Sequence, residues 1–275
     1  MQLVSCKEYV EITKQQLKEK VSTFDKKPTL CVVQIGNNPA SNTYVRNKKR
    51  DCETLNIDFK HVHIEDYEDM SQKELKSIVY ALNNDEDING IIIQLPIPDK
   101  YNVEELQKCI SPEKDVDGFR PDSCFKPCTP KGIFDWLEFN NIDLNGKTMT
   151  VIGRSNIVGK PSVMMGIEKG ATVTCCNSKT KSLSRFMFNT DIVISAIGKP
   201  KYFNKFHFNN TGIVVDVGIN RDENGKLCGD VDKHDFERYN PDTYLTPVPG
   251  GVGLLTVVTL MKNTVEAYEL QNGGN

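Results

Sequence analysis

Short runs of β-branched and aliphatic residues, separated by stretches of helical period, most narrow the folds open to this chain. Thr29-Leu30-Cys31-Val32-Val33-Gln34-Ile35 stops at Gly36, and Phe59-Lys60-His61-Val62-His63-Ile64 follows. Gly90-Ile91-Ile92-Ile93-Gln94-Leu95 is ended by Pro96 and Pro98. Further on come Thr148-Met149-Thr150-Val151-Ile152 and the runs at 171–176, 191–196 and 212–217. Helices are expected at 41–55, at 71–82 behind a Ser71/Glu74 capping box, and from Gly159 onward. Strands that alternate with helices in this way build α/β layers around a mainly parallel sheet. Residues 115–130 hold three prolines and little periodicity and read as a linker between two such layers. The tail from 254 to 270 reads as a helix whose apolar residues pack back on the first unit. The expected architecture is therefore α/β with two domains. Residues 1–118, completed by 248–275, form the first, and residues 119–247 form a Rossmann-like second.

At 275 residues the chain can bury a substantial core. A formal net charge of −3 gives no electrostatic reason to expect nucleic acid as a partner. No apolar stretch approaches the roughly 20 residues that span a bilayer, and the first eight residues turn polar at once, so neither membrane nor signal peptide is expected. The nine cysteines are scattered, without a C-x-x-C pair or zinc-like spacing, which suits a reducing cytoplasmic setting and no metal.

The segment Gly153-Arg154-Ser155-Asn156-Ile157-Val158-Gly159-Lys160-Pro161 falls between a strand and a helix, where a phosphate-binding turn belongs. It is not a Walker A loop: five residues separate its glycines and Pro161 stands at the Ser/Thr position. The next strand ends at Cys176-Asn177-Ser178-Lys179-Thr180, without the acid that would hold a ribose 2′-hydroxyl. Ser178, Thr180, Lys179 and Arg154 suit a 2′-phosphate, so NADP is expected ahead of NAD. Ser178 and Thr180 are equally ordinary turn residues.

In the first half Lys48 is the unusual residue. With Tyr44 as the zero of a helical wheel, Leu55 falls near about 20°, Lys48 near 40°, Cys52 near 80° and Val45 near 100°. Lys48 thus lies within the inward arc, where a lysine either snorkels to water or serves a cleft. Gln94 ends an apolar strand at the carboxyl edge where α/β ligands bind, or simply faces water there. Lys114-Asp115-Val116-Asp117-Gly118 offers carboxylates on a turn, or is an ordinary Asp-Gly turn. His61 and His63 share one strand face without a third metal ligand.

Together these segments resemble one family, the bifunctional methylenetetrahydrofolate dehydrogenase/methenyltetrahydrofolate cyclohydrolases. The resemblance runs through Pro39-Ala40-Ser41-Asn42-Thr43-Tyr44-Val45-Arg46-Asn47-Lys48, Gln94-Leu95-Pro96-Ile97-Pro98 and the 114–119 turn. It continues through Pro127-Cys128-Thr129-Pro130, the Gly153 loop, Asp216-Val217-Gly218-Ile219-Asn220, Gly229-Asp230-Val231-Asp232 and the 246–253 segment. It implies a catalytic folate-binding first domain and an NADP-binding second one. It also implies two reactions: hydride transfer from 5,10-methylenetetrahydrofolate to NADP, then hydrolysis of the methenyl cation to 10-formyltetrahydrofolate. By the same resemblance Lys48 is the catalytic lysine, Gln94 positions and tunes it, and Tyr44 packs against the folate. Asp117 holds the pterin, and Pro249, Gly250 and Gly251 line the substrate cleft. Gly153, Arg154, Ser155, Ser178 and Ile219 contact the cofactor, and the chain is expected to form a homodimer.

Three departures from the family pattern stand out. The stretch between Gly118 and Pro127 is about ten residues shorter than a typical interdomain loop. Asn177 replaces a usual histidine, and Leu254 replaces a usual proline, which is expected to loosen the start of the last helix.

Overall fold

The computed structural model describes residues 2–208, 210–233 and 242–273. The chain opens with strand β1 (Gln2–Leu3) and helix α1 (Lys7–Val21). It then alternates β2 (Thr29–Ile35), α2 (Pro39–Thr54), β3 (Asp58–Ile64), α3 (Gln72–Asn83) and β4 (Gly90–Ile93), followed by the short α4 (Val103–Gln107). From α5 (Cys128–Phe139) the alternation resumes through β5 (Thr148–Ile152), α6 (Gly159–Glu168), β6 (Thr172–Cys176), α7 (Ser184–Met187), β7 (Ile192–Ser195) and β8 (Ile213–Asp216). The hairpin of β9 (Asn220–Arg221) and β10 (Leu227–Cys228) comes next, then β11 (Tyr244–Leu245) and the long α8 (Val252–Gln271). Two compact units result. One comprises Ile12–Cys128 with Val257–Asn275, the other Met1–Glu11 with Thr129–Thr256.

In the first-half unit the sheet order is β3-β2-β4 with every pair parallel, so that Val32 lies between His61 and Ile92. The chain leaves β2 for β3 on one side and returns to β4 on the other. The reversal point lies between the carboxyl ends of β2 and β4, the place where such sheets bind ligands. Strands β2 and β4 are buried on both faces, which explains their unbroken aliphatic runs. Val33, Ile35, Leu75, Val79, Ile91, Ile93 and Ile110 share one core. As expected, the last helix packs back here. Met261 Sδ lies 3.5 Å from Cys52 Sγ, and Tyr268 stacks on Phe24 at 4.7 Å. Gln271 Nε2 donates to the carbonyls of Asn89 and Glu113, each at 2.8 Å.

The second-half unit carries a six-stranded sheet in the order β1-β11-β8-β7-β5-β6, again parallel throughout. Its order reverses between β5 and β7, which makes it Rossmann-like. Residues Gln2 and Leu3 pair with Tyr244 and Leu245 at one edge of this sheet. The amino terminus therefore clusters with the second-half unit rather than with the residues that follow it, a two-residue pairing that no periodicity announces.

Four helices lie outside the sequence expectation: α1, α5 and the short α4 and α7. The stripe of α1 (Tyr9, Val10, Thr13, Leu17, Val21) is buried, but the rest of the helix is so polar that the pattern is thin. Helix α5 starts inside the expected linker because Pro130 occupies its first turn, where the missing N–H goes unneeded. Leu254 N–H donates to Gly251 O at 3.0 Å at the start of α8, a bond that proline would lack. No helix among the described residues is long and apolar enough to cross a membrane.

Candidate active site

Helix α2 begins where it does because Pro39 pre-sets the first turn and Asn38 caps it, its Oδ1 accepting from Ala40 N at 2.9 Å and Ser41 N at 3.3 Å. Ser41, Val45, Cys52 and Leu55 are buried, an arc between roughly 20° and 100° on the wheel that contains Lys48 and leaves Tyr44 at its margin. Tyr44 accordingly stays 44% exposed. Its ring is not part of the core, contrary to a simple reading of the inward arc.

Lys48 does not snorkel. Its Nζ donates to Gln94 Oε1 at 2.7 Å, and Gln94, only 6% exposed, does not face water. The amide is fixed from both ends, since Nε2 donates to Leu95 O at 2.7 Å and the backbone N–H to Val33 O at 2.8 Å. Burial holds the Lys48 ammonium below the usual lysine range, opposed by the nearby charges of Asp117 and, to a smaller extent, Cys128 and Cys52. Burial also pushes Asp117 up to about 6, against the pull of Lys48 and of a thiol hydrogen bond from Cys128, with Asp115 adding to the rise. The unit therefore holds a lysine and a carboxylate whose ionisations have been brought toward neutrality from opposite directions.

The turn that carries Asp117 divides its labour. Lys114 is buried, and its Nζ donates to the carbonyls of Asn83 and Asp85, each at 2.8 Å, which satisfies the carboxyl end of α3. Asp115 is buried too, and its Oδ2 accepts from Arg120 N at 2.8 Å. Gly118 closes the turn at φ +71°, and a Cβ there would stand 2.6 Å from the Lys126 carbonyl carbon. The shortened stretch after Gly118 is thus pinned. Arg120 bonds the carbonyls of Lys108 and Ile110 and pairs with Asp122 at 2.8 Å. His61 and His63 stack at 5.1 Å, with ring nitrogens 3.2 Å from Gln34 Oε1 and 3.1 Å from Gly36 O. Among the described residues no group of three or more His, Cys, Asp or Glu side chains is placed to hold a metal ion.

In the second-half unit the Gly153 turn sits at the reversal point of the sheet. Gly153 adopts φ +123°, and a Cβ would stand 2.4 Å from Ala196 O. A Cβ on Gly159 would meet Gly153 O at 2.2 Å. The two glycines let the loop fold flat onto the strands. Ser155 Oγ accepts from Val158 N at 3.1 Å and Gly159 N at 3.3 Å, shaping the turn. Residue Val158 gives α6 no side-chain cap, and Arg154 and Ser178 are exposed. Asn177 is a turn builder: its Oδ1 accepts from Lys179 N at 2.9 Å and its N–H donates to Thr180 Oγ1 at 3.0 Å. Thr180 is thereby tied into the turn, while Ser178 is not.

Ile219 is 54% exposed on a loop fastened by two buried carboxylates that sequence reasoning left without a role. Asp216 accepts from the backbone N–H groups of Gly218, Asp230 and Val231 at 2.9–3.0 Å. Asp230 accepts from Ser195 Oγ, Ile197 N, Lys199 N and Asn220 Nδ2 at 2.9–3.0 Å. Burial pushes Asp216 up to about 7 against the pull of its N–H donors. Pro249 is exposed after a cis peptide bond, and Gly250 follows at φ +103° with its carbonyl accepting from Cys6 N at 3.2 Å. A Cβ on Gly251 would lie 2.4 Å from Pro247 O.

Two sequence profiles match the chain: tetrahydrofolate dehydrogenase/cyclohydrolase, catalytic domain, over residues 4–117, and the NAD(P)-binding domain of the same name over residues 127–272. The bifunctional protein FolD of Agathobacter rectalis is 44% identical over 269 residues, covering 93% of this chain and 95% of that protein. The crystal structure of the bifunctional FolD methylenetetrahydrofolate dehydrogenase/cyclohydrolase from Campylobacter jejuni superposes with a TM-score of 0.93 at 39% identity, over 98% of this chain and 99% of that one. The Trypanosoma brucei dehydrogenase-cyclohydrolase, complexed with NADP and an inhibitor, gives a TM-score of 0.89 at 28% identity, over 98% and 97% of the two chains. The chain belongs to the tetrahydrofolate dehydrogenase/cyclohydrolase family.

Proposed function

We propose that this protein oxidises 5,10-methylenetetrahydrofolate to the 5,10-methenyl cation with NADP and hydrolyses that cation to 10-formyltetrahydrofolate. The observation that carries the reading is the 2.7 Å bond from Lys48 to the buried Gln94. It holds an amine of lowered pKa at the ligand-binding edge of its sheet.

Oxidation needs orientation more than a base, because the nitrogen lone pairs beside the methylene carbon drive hydride departure. Asp117 supplies that orientation as a two-oxygen acceptor for the pterin amino group and ring nitrogen, while Tyr44 offers an exposed face for the ring to lie on. Hydrolysis does need proton transfer. Neutral Lys48 takes a proton from the water that adds to the methenyl carbon. As the bond from that carbon to N5 opens, the lysine returns a proton to N5 and the hydroxyl proton leaves, with the formyl group remaining on N10. Gln94 aims the lysine through both stages.

The second-half unit fits a dinucleotide. The space a Cβ would fill at Gly153 and Gly159, and the uncapped start of α6, suit a pyrophosphate. Arg154 and Ser178 are open to a 2′-phosphate, Ser155 shapes the turn, and Ile219 offers an apolar surface for the nicotinamide side. Pro249, Gly250 and Gly251 serve the substrate. When bound, NADP supplies the hydride acceptor. Assembly as a homodimer and a cytoplasmic setting belong to the same reading, and light scattering on the purified chain tests the former.

Initial rates with 5,10-methylenetetrahydrofolate, comparing NADP with NAD, test the assignment when methenyl hydrolysis is followed separately. Fast NADP reduction with hydrolysis is expected. Preference for NAD would remove Arg154 and Ser178 from phosphate binding, and no turnover with either would overturn the reading.

A further inference from the structure

Strands β5 and β6 pair in parallel, with Ile152 opposite Cys176, so Arg154 and Ser178 each stand two residues beyond the same register pair. The two loops leave the sheet edge side by side. Gly153 N–H donates to Cys176 O at 2.9 Å and ties them at their roots. The edge carries no carboxylate of its own, since residues 144–167 and 169–190 contain no Asp or Glu although the chain as a whole has a net charge of −3. Among the described residues, the Arg154 guanidinium, Lys179 Nζ and Ser178 Oγ have no hydrogen bond or ion pair with the protein.

Asn177 decides which groups are left over. Its Oδ1 accepts from Lys179 N at 2.9 Å, its N–H donates to Thr180 Oγ1 at 3.0 Å, and its carbonyl accepts from Thr180 N at 2.9 Å. These bonds hold the turn from within, and none of them uses the Ser178 hydroxyl or the Lys179 ammonium. A phosphate is best met by donors that are not already engaged, with no carboxylate among them to compete. This edge satisfies both conditions.

We propose that Asn177 and Thr180 are positioning residues that set dinucleotide choice. Their lock on the turn presents Ser178 and Lys179, beside Arg154, to the 2′-phosphate of NADP. Lys179 is thereby a third phosphate-binding group. The 2′-hydroxyl of NAD carries no charge for these groups to meet, so the lock favours NADP alone. The inference rests on the 2′-phosphate reading of Arg154 and Ser178.

The test is direct binding, with Kd for NADPH and for NADH read by fluorescence titration and Arg154→Ala as reference. Asn177→Ala releases the Lys179 N–H and loosens the turn. Displacing one charge-assisted bond is worth about tenfold, so N177A should weaken NADPH by that factor and leave NADH unchanged. Thr180→Val removes the acceptor while keeping the shape and should do the same. Thr180→Ser, which keeps the oxygen, should bind as the native chain does. In a Ser178→Ala/Lys179→Ala background N177A should add little, because a residue that acts through two others then has nothing to position.

Equal losses for NADPH and NADH in N177A, or equal losses in T180V and T180S, overturn the proposal. So does a full further loss from N177A in the Ser178→Ala/Lys179→Ala background. If N177A does not fold, the T180V and T180S pair decides alone. A preference for NADPH over NADH that is unmoved in R154A overturns the 2′-phosphate reading and the lock with it. A preference lost in R154A but kept in N177A and T180V overturns the lock only.

Discussion

The two units are built on the same plan, a parallel sheet with a reversal point, yet they prepare that point in opposite ways. In the first-half unit the edge is furnished by side chains: Lys48 bonded to Gln94, with Asp117 enclosed beside Cys128. In the second-half unit the edge is furnished by backbone. Gly153 at φ +123° and Gly159 keep the turn flat, while Asp216 and Asp230 spend their oxygens mostly on backbone N–H groups of the neighbouring loops. A site for proton transfer must perturb ionisation and so buries titratable groups. A site for a pyrophosphate needs N–H groups and room, which any sequence with the right glycines supplies.

If that contrast is sound, the two halves should fail separately. The largest effect is expected for Lys48→Ala, which should lower methenyl hydrolysis by about 10²–10⁴-fold, the usual worth of a general acid–base group, with NADP affinity unchanged. Lys48→Arg should do no better, since a guanidinium does not release its proton. Steady-state hydrolysis and fluorescence titration with NADPH measure the two halves. Unchanged hydrolysis in K48A would remove the lysine from proton transfer.

Gly153→Ala is the reciprocal test. A non-glycine residue forced to a disfavoured φ costs about 1–3 kcal/mol, and a Cβ here also meets the Ala196 carbonyl. NADP binding should weaken by about 5- to 150-fold, with methenyl hydrolysis retained. If hydrolysis fell in step with NADP affinity, the separation of roles would be wrong. The smallest effect is expected for Ser178→Ala. Loss of one exposed hydrogen bond should weaken NADP by less than about tenfold and leave NAD unchanged, sharpening the 2′-phosphate assignment. Equal effects on both dinucleotides would make Ser178 a turn residue.

The same contrast explains what the sequence made legible. Lys48 stood out because a helical wheel places it on the buried arc, and Gln94 because it ends an aliphatic strand at a carboxyl edge. Their hydrogen bond joins residues 46 positions apart and has no sequence signature. Strands β2 to β8 were visible as runs of β-branched and aliphatic residues, whereas β1, β9, β10 and β11 have two residues each, too few to show alternation. Helix α5 was hidden by the prolines around its start. The Asp216 and Asp230 clamp escaped because side chains that serve distant backbone groups leave no periodic mark. Asn177, a departure visible in the sequence beside a ligand edge, is spent on its own turn.

The central claim is that burial beside Gln94 lowers the pKa of Lys48 and so gives the site an amine that can exchange protons with the reacting water. Titration of the protein with ¹⁵N-labelled lysine, following the Nζ resonances by NMR and assigning Lys48 by its loss in Lys48→Arg, measures this directly. Lys48 is expected to titrate below the surface lysines and to fall further in Asp117→Asn, because the carboxylate supports its charge. A Lys48 resonance that titrates with the rest, indifferent to Asp117, would contradict it.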